Sequence, residues 1–398
     1  MTKFELCFDM VNFRLMKNVF YLLLIPLLYS CGKASSEKAE SGNILEKLTF
    51  TVDTVMVDAG DDIFILSSGL GTKALNQDKS KLLFFEREPF SLVQVDLNNL
   101  KLIGKTPFQK EGPNSVGTYL TDFQLGPNSE LFIQGNSSQA KFTTEGKLTK
   151  NLKIVPEGID SELANNFQKL YARAVFDFEK NRIYAQPSLE SLGKNKLYII
   201  DPHSKGVRIE PMPEMKAVEE FSGTFITKSG EGTMYRYFGV GSFTTIENGQ
   251  LLISSGAMSG IYRLNPKLDS LYFIPIQHQN FPNRMEVTVN NSPTDEAQFS
   301  EDRRKVYEQL NYMEPRWDES REMFLRLGKK TFLGERREDP STYEVFLFAY
   351  DQDFNVLGET KIEGLKQVPG SCFWKDGKLW SYVNVEDELG FAVIDFKF

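Results

Sequence analysis

Histidine and cysteine are scarce, with two and three copies respectively among 398 residues. His203 and His278 are isolated in sequence, each within a loop, and the sequence predicts both as surface side chains. With no HExxH, no CxxC and no His/Cys cluster, a zinc site has no ligand set to draw on. Cys7, Cys31 and Cys372 cannot build a disulfide framework. Cys372 lies in the apolar setting SCFW and reads as an inert, small core residue. A GxSxG nucleophile elbow is absent, and the Gly69-Leu70-Gly71 and Gly239-Val240-Gly241 stretches lack phosphate-loop spacing. The run Asp351-Gln352-Asp353-Phe354-Asn355 begins like a calcium loop. It has Val356 where glycine is required, however, and Ile362 where a bidentate Glu should stand. No metal, other cofactor or catalytic residue is therefore expected. Basic residues are outnumbered, 46 Lys and Arg against 54 Asp and Glu, for a net charge of −8. That balance, with no Lys/Arg-rich run, argues against nucleic acid as a partner.

Long hydrophobic runs are missing too. The most apolar segment, Val19 to Tyr29, is about 11 residues, short of the roughly 20 that span a bilayer. It sits inside MKNVFYLLLIPLLYSC (16–31), which has the form of a lipoprotein signal peptide, with Leu28-Tyr29-Ser30-Cys31 as the lipobox. Tyr29 departs from the small residue commonest at its position. The polar stretch GKASSEKAESGN follows Cys31 and reads as a flexible tether. Residues 1–15 carry Glu5 and Asp9 and make a poor signal n-region, so translation is expected to start at Met16, with 1–15 an artefact of the gene model. The expected organisation is a signal peptide over 1–30, a tether over 31–45 lipidated at Cys31, and one folded body over 46–398. The lipid on Cys31 would make a membrane the first partner, each buried methylene contributing about 0.8 kcal/mol.

The body is rich in aromatics, with 32 Phe and 15 Tyr, which favours buried strands. Two kinds of turn alternate along it, each occurring six times. One precedes an apolar strand: Asp78-Lys79-Ser80, Asn128-Ser129, Lys180-Asn181, Asn248-Gly249, Glu319-Ser320 and Asp376-Gly377. Asn-Gly and Asp-Gly suit two-residue hairpins, whose central residues need positive φ. The other follows an apolar strand, at Asp96, Thr143, Asp201, Asn265, Asp351 and Asp395. Strands such as LLFF, LYII and VFLFAY are continuously apolar, as expected where both faces are covered. Blades of a propeller are covered in that way by their neighbours, so the predicted fold is an all-β, six-bladed β-propeller, with a two-sheet sandwich as the competing architecture. The last module, Phe373 to Phe398, supplies only three strands. Residues Leu48 to Val57 can serve as its outer strand and close the ring, removing two exposed edges.

The copies are spaced more widely than the 40–50 residues usual for four-stranded blades, and two short helical insertions explain part of the excess. One is SELANNFQKLYAR (161–173). The other is SPTDEAQFSEDRRKVYEQL (292–310), with Ser292 as N-cap, Pro293 at the first helical position, and Phe299, Val306 and Leu310 on a packing face. Innermost strands line a propeller's axial channel, and the candidates they contribute are Asp122, Arg173, Tyr312, Glu314, Arg316 and Ser371. Arg173 and Arg316 with Tyr312 could bind a carboxylate or a sugar. Alternatively, the arginines pair with Asp122 and Glu314 and simply fill the channel.

The lipobox, the polar tether and the six modules together resemble Bacteroidota lipoproteins of the six-bladed, TolB-like propeller type, in particular a subgroup described only as a domain of unknown function. Trp317-Asp318 followed by Met323-Phe324-Leu325-Arg326 carries most of that resemblance. It implies an envelope lipoprotein, in the outer membrane and facing the periplasm or the exterior, and implies no reaction. Asp53-Thr54-Val55 and Asp269-Ser270-Leu271 fit the short pattern that Bacteroidota glycosylate. The function expected is a non-enzymatic binding or scaffolding module for an envelope protein or glycan. The alternative is a lactonase- or esterase-like hydrolase with an axial metal, which needs three or more oxygen ligands converging on the axis.

Overall fold

The computed structural model describes residues 42–67, 69–117, 119–135, 139–152, 154, 174–186, 195–230, 232–336 and 338–398. Six four-stranded antiparallel sheets follow one another as the blades of a propeller. Blades I to V cover residues 73–107, 120–151, 175–211, 242–274 and 311–361 in sequence order, each running from its innermost strand outward. Blade VI takes Phe373–Lys375, Lys378–Val385 and Glu388–Lys397 from the end of the sequence and Thr49–Met56 from the beginning. The closing strand pairs in register from Thr49 opposite Lys397 to Met56 opposite Gly390. The ring therefore closes as the sequence predicts.

The turn chemistry explains why these residues make these hairpins. Asn248 and Gly249 have φ of 48° and 69°, and Asp376 and Gly377 have 51° and 70°. Both central residues are left-handed, which Asn, Asp and Gly tolerate best. Blades I, II and III use Lys79, Asn128 with Ser129, and Asn181 in the same way. On the same face of the ring, the third strand of several blades ends in a side-chain cap. Asp96 Oδ1 accepts from the backbone N–H of Asn98 and Asn99, Asp201 from His203 and Ser204, Asn265 from Lys267 and Leu268, and Asp351 from Asp353 and Asn355. The calcium-like run is one of these turns. Asp395 is the exception: it lies inside the last strand opposite Thr51, because that strand must run on to receive the closing strand.

The core is distributed between blades rather than gathered at a centre. Phe84 and Val93 of blade I pack with Trp380 and Phe391 of blade VI, and Leu327 and Leu347 of blade V with Trp374 and Phe396. Burial on both faces accounts for the unbroken apolar runs. Each fully buried Phe or Leu contributes roughly 1.5–3 kcal/mol.

Additional elements gather beside blade IV. A short helix α1 (Lys216–Glu220) adds Ala217 and Val218 to a core in which a two-stranded hairpin (Gly223–Ser229 with Gly232–Phe238) and a longer helix α2 (Glu296–Tyr307) pack through Phe225, Phe238 and Phe299. α2 begins later than the sequence suggests. Its N-cap is Asp295, whose Oδ1 accepts from Gln298 N at 2.9 Å, so Ser292 and Pro293 lie outside the helix. A carboxylate three residues before a free N–H is the stronger cap, since it also meets the helix dipole. Phe299 and Val306 face the core as expected, and Leu310 is buried just beyond the helix end. The 161–173 insertion, the signal segment and Cys31 lie outside the described residues.

Candidate functional site

The innermost strands bring a cluster of charges to the propeller axis. Asn311–Asp318, the innermost strand of blade V, presents Glu314 and Arg316. Alternation would place Tyr312 on the same face, but the register shifts between Tyr312 and Pro315. That irregularity turns Tyr312 into the packing beside blade IV, where it is 1% exposed and donates from its hydroxyl to Pro282 O at 2.7 Å. Tyr312 is thus a core residue. Ser371 is exposed with φ of 44°; its neighbour Cys372 lines the cavity instead. Arg173 lies outside the described residues.

Arg316 is held from two sides. Its Nη1 donates to Glu247 Oε1 at 2.7 Å, and its Nη2 to Glu314 Oε1 at 2.7 Å. Glu247 ends the innermost strand of blade IV (Ser242–Glu247) and also accepts from Trp317 N at 3.2 Å. Asp122, expected as a partner of the arginines, does not join this pair. Among the described residues its Oδ1 accepts only from the adjacent Phe123 N, at 2.8 Å. Sequence reasoning missed Lys73, from the three-residue innermost strand of blade I (Lys73–Leu75), which interacts electrostatically with Asp122, Glu314, Arg316 and Cys372.

Protonation follows from this arrangement. Burial pushes the Asp122 carboxyl up to about 6, opposed by the Phe123 N–H and the Lys73 charge. Burial likewise lowers the Lys73 ammonium and raises the Cys372 thiol. For Glu314 burial works toward a higher value, but the charge and hydrogen bond of Arg316, joined by a backbone N–H and the Lys73 charge, together outweigh it and hold the carboxyl low. Arg316 itself is held firmly protonated: burial opposes its charge, and Glu247 and Glu314 overcome that penalty. Its side chain keeps 40% exposure, and that exposure is to the channel, since protein encloses the guanidinium. A cavity of about 730 Å³, lined in part by Lys73, Glu247, Arg316, Cys372 and Trp374, opens among the hairpin turns at this end of the axis. Its size is that of a small-molecule site.

Among the described residues, no three His, Cys, Asp or Glu side chains converge to hold a metal. Between Glu247 and Glu314 the cationic position is filled by Arg316. A larger groove of about 1010 Å³ lies between α2, the hairpin and residues 333–341, but its charges are mostly consumed internally. Arg236 pairs with Glu296, Arg336 with Asp339, and Arg304 donates to Leu333 O and Gly334 O.

A protein-family model described as a domain of unknown function (DUF4221) matches residues 41–361. The chain belongs to the DUF4221 family. A crystal structure of a DUF4221 member from Bacteroides vulgatus is similar over 88% of this chain and 98% of its own, with a TM-score of 0.61 at 15% identity. A protein of Bacteroides fragilis is similar over 88% of this chain and 96% of its own, with a TM-score of 0.49 at 10% identity. Among curated proteins none matches. At these identities the similarity speaks to the propeller alone.

This DUF4221 propeller holds a second polar centre, between blades IV and V. His203 is exposed, as expected. His278 is not: its side chain is sealed, with Nδ1 2.6 Å from Glu359 Oε2 and Nε2 3.2 Å from the Tyr350 hydroxyl. Burial lowers the His278 pKa, against the opposing pull of Glu359. The neutral ring can then donate from Nδ1 and accept at Nε2. Glu359 Oε1 accepts from the backbone N–H of Gln279 and Asn280 and from Asn280 Nδ2. Arg326, 1% exposed, donates to the carbonyls of Met313, Ser255, Met258 and Ser259 and stacks over Tyr312 at 4.8 Å. Such a sealed, satisfied centre is structural. Asp269 is structural as well, clamped by Arg182 and Arg208, and the hydroxyl residues of the two glycosylation-like patterns, Thr54 and Ser270, are both exposed.

Proposed function

We propose that this chain is a lipid-anchored envelope propeller of the Bacteroidota, TolB-like in type, that acts as a non-enzymatic binding or scaffolding module. The observation that carries the reading is the axis: Arg316 bridges Glu247 and Glu314 beside an open cavity of about 730 Å³. That is a surface suited to recognition, because the carboxylates that could ligate a metal or act as bases are spent on an internal cation. The lipobox ending at Cys31 supports the anchor, and the acidic net charge disfavours nucleic acid as a partner. A lactonase-like axis would need convergent oxygen ligands, and no observation favours it.

Two measurements test this reading. Cys31→Ala should move the protein from the membrane to the soluble fraction; retention on membranes would defeat the anchor. Cross-linking in the native envelope followed by mass spectrometry should recover one envelope protein or glycan reproducibly. Recovery of none would count against scaffolding.

A further inference from the structure

Two further axial charges stand outside the cluster of Glu247, Arg316 and Glu314. Among the described residues, Lys73 makes no hydrogen bond or ion pair, and Asp122 accepts only from its own neighbour Phe123 N. Both side chains are half-buried, on the innermost strands of adjacent blades I and II, which pack side by side. They sense each other's charge, yet no ion pair joins them. Taking two opposite charges out of bulk water without letting them meet carries the desolvation cost and forfeits the Coulombic return. Around Lys73, Arg316 repels the ammonium while Glu314 and Asp122 attract it, so the charge is offset through space but met by no hydrogen-bonded anion among the described residues. Lys73 stands on the wall of the cavity. By register Asp122 is one layer farther from the hairpin turns, opposite Gln134, whereas Lys73 is opposite Phe84.

We infer that Lys73 and Asp122 are the two poles of a binding site for a small zwitterion, a molecule of amino-acid size with an ammonium and a carboxylate a few bonds apart. The ligand carboxylate meets Lys73, which has no hydrogen-bonded anion among the described residues. The ligand ammonium meets Asp122, whose burial leaves it short of a cation. The neutral Cys372 thiol on the same wall adds no competing charge. The cavity of about 730 Å³ opens on the Lys73 side of the site, so a side chain or a second residue of the ligand is accommodated there. This inference rests on the binding-module reading above and specifies the ligand chemistry.

The test is titration calorimetry on the purified full chain at neutral pH, with L-alanine and glycylglycine as zwitterionic probes and acetate and methylammonium as single-charge probes. Saturable one-to-one binding of L-alanine or glycylglycine is expected, at least tenfold tighter than either single-charge probe. Preference between the two zwitterions reports the spacing of the poles. Lys73→Met and Asp122→Asn should each weaken binding tenfold or more while thermal melts confirm a folded protein; if Lys73→Met does not fold, Lys73→Gln replaces it. Three results would overturn the inference: no saturable heat with either zwitterion, affinities unchanged in both variants, or acetate binding as tightly as L-alanine. Membrane release by Cys31→Ala and cross-linking are read independently, so the zwitterion site can fail while the envelope-module reading stands.

Discussion

Glu359 Oε2 lies 2.6 Å from His278 Nδ1, across 81 residues of sequence. The same residue is gripped through its backbone: Asn43 Nδ2 donates to Glu359 O at 2.8 Å, and Glu359 N donates to Asn43 Oδ1 at 2.9 Å. One glutamate thus ties the loop before α2, the outer strand of blade V and the segment leading into the closing strand. Glu359→Gln would turn an amide NH₂ toward groups that already donate. Breaking one partner of such a buried pair costs about 3 kcal/mol or more. A clear fall in melting temperature is expected, and a melt equal to wild type would show that the pair is dispensable.

Two buried groups should give the protein an unusual pH profile. His278 has a folded pKa below its unfolded value of about 6.5 because burial disfavours its cation. Its stabilising contribution is present above that value and is lost as pH falls below it. Asp122 runs the other way. Its folded pKa of about 6 exceeds its ordinary value, so its contribution is full below about 4 and is lost as pH rises through 6. Asp122→Asn should therefore stabilise the protein near pH 7, by roughly 1–2 kcal/mol after allowing for channel solvent, with no gain below pH 4. In that background the loss of stability on acidification from pH 7 to 5 should steepen. Melts that superimpose across that range would contradict both assignments.

How much of this could be read from the sequence depends on whether a residue's partner is local. The hairpins were legible because positive φ at Asn248-Gly249 and Asp376-Gly377 demands particular residues at adjacent positions. Ring closure was legible because an apolar strand was missing from one module and spare at the other end. Glu314 and Arg316 were found by alternation, and Tyr312 was misplaced because a bulge, invisible in composition, breaks the alternation between them. Lys73 escaped notice because a three-residue strand, KAL, shows no alternation at all. His278 reads as a surface residue because the carboxylate that buries it lies 81 residues away, in the outer strand of blade V.

Arg326 belongs to the segment by which the sequence resembles its family, and its role is packing. Its guanidinium satisfies four carbonyls and stacks over Tyr312. Lysine offers no planar fork and fewer donors. Arg326→Lys is expected to cost about 2 kcal/mol or more through orphaned carbonyls. Chemical denaturation against wild type measures this, and an unchanged midpoint would remove Arg326 from the structural core.

The closing strand can be tested by deletion. Removing residues 46–58 takes away the ladder from Thr49 to Met56 and the buried Val57. Blade VI would then expose the edge of Glu388–Lys397. The melting temperature should drop by several degrees, given roughly 1–2 °C per kcal/mol in a protein of this size, and aggregation should rise. An unaltered melt would mean that the ring does not depend on this closure.

Arg316 offers the sharpest test of how the axis is built. Its guanidinium stands between Glu247 and Glu314, where a propeller with an axial metal would place its cation. If that substitution of one cation for another is the right description, Arg316→Met should first destabilise the protein by leaving two enclosed carboxylates unpaired. It should then create a dependence that wild type lacks, because two carboxylates facing one space are ligands for a hard divalent ion. Calcium at a hundredfold over its Kd would return about 2.7 kcal/mol, visible as a rise in melting temperature of the variant and none in wild type. The Glu247→Gln/Arg316→Met double variant should recover part of the lost stability and lose the calcium response, since one carboxylate cannot hold the ion alone. If calcium leaves the single variant's melt unchanged, the carboxylates do not converge, and Arg316 is simply a strap between blades IV and V.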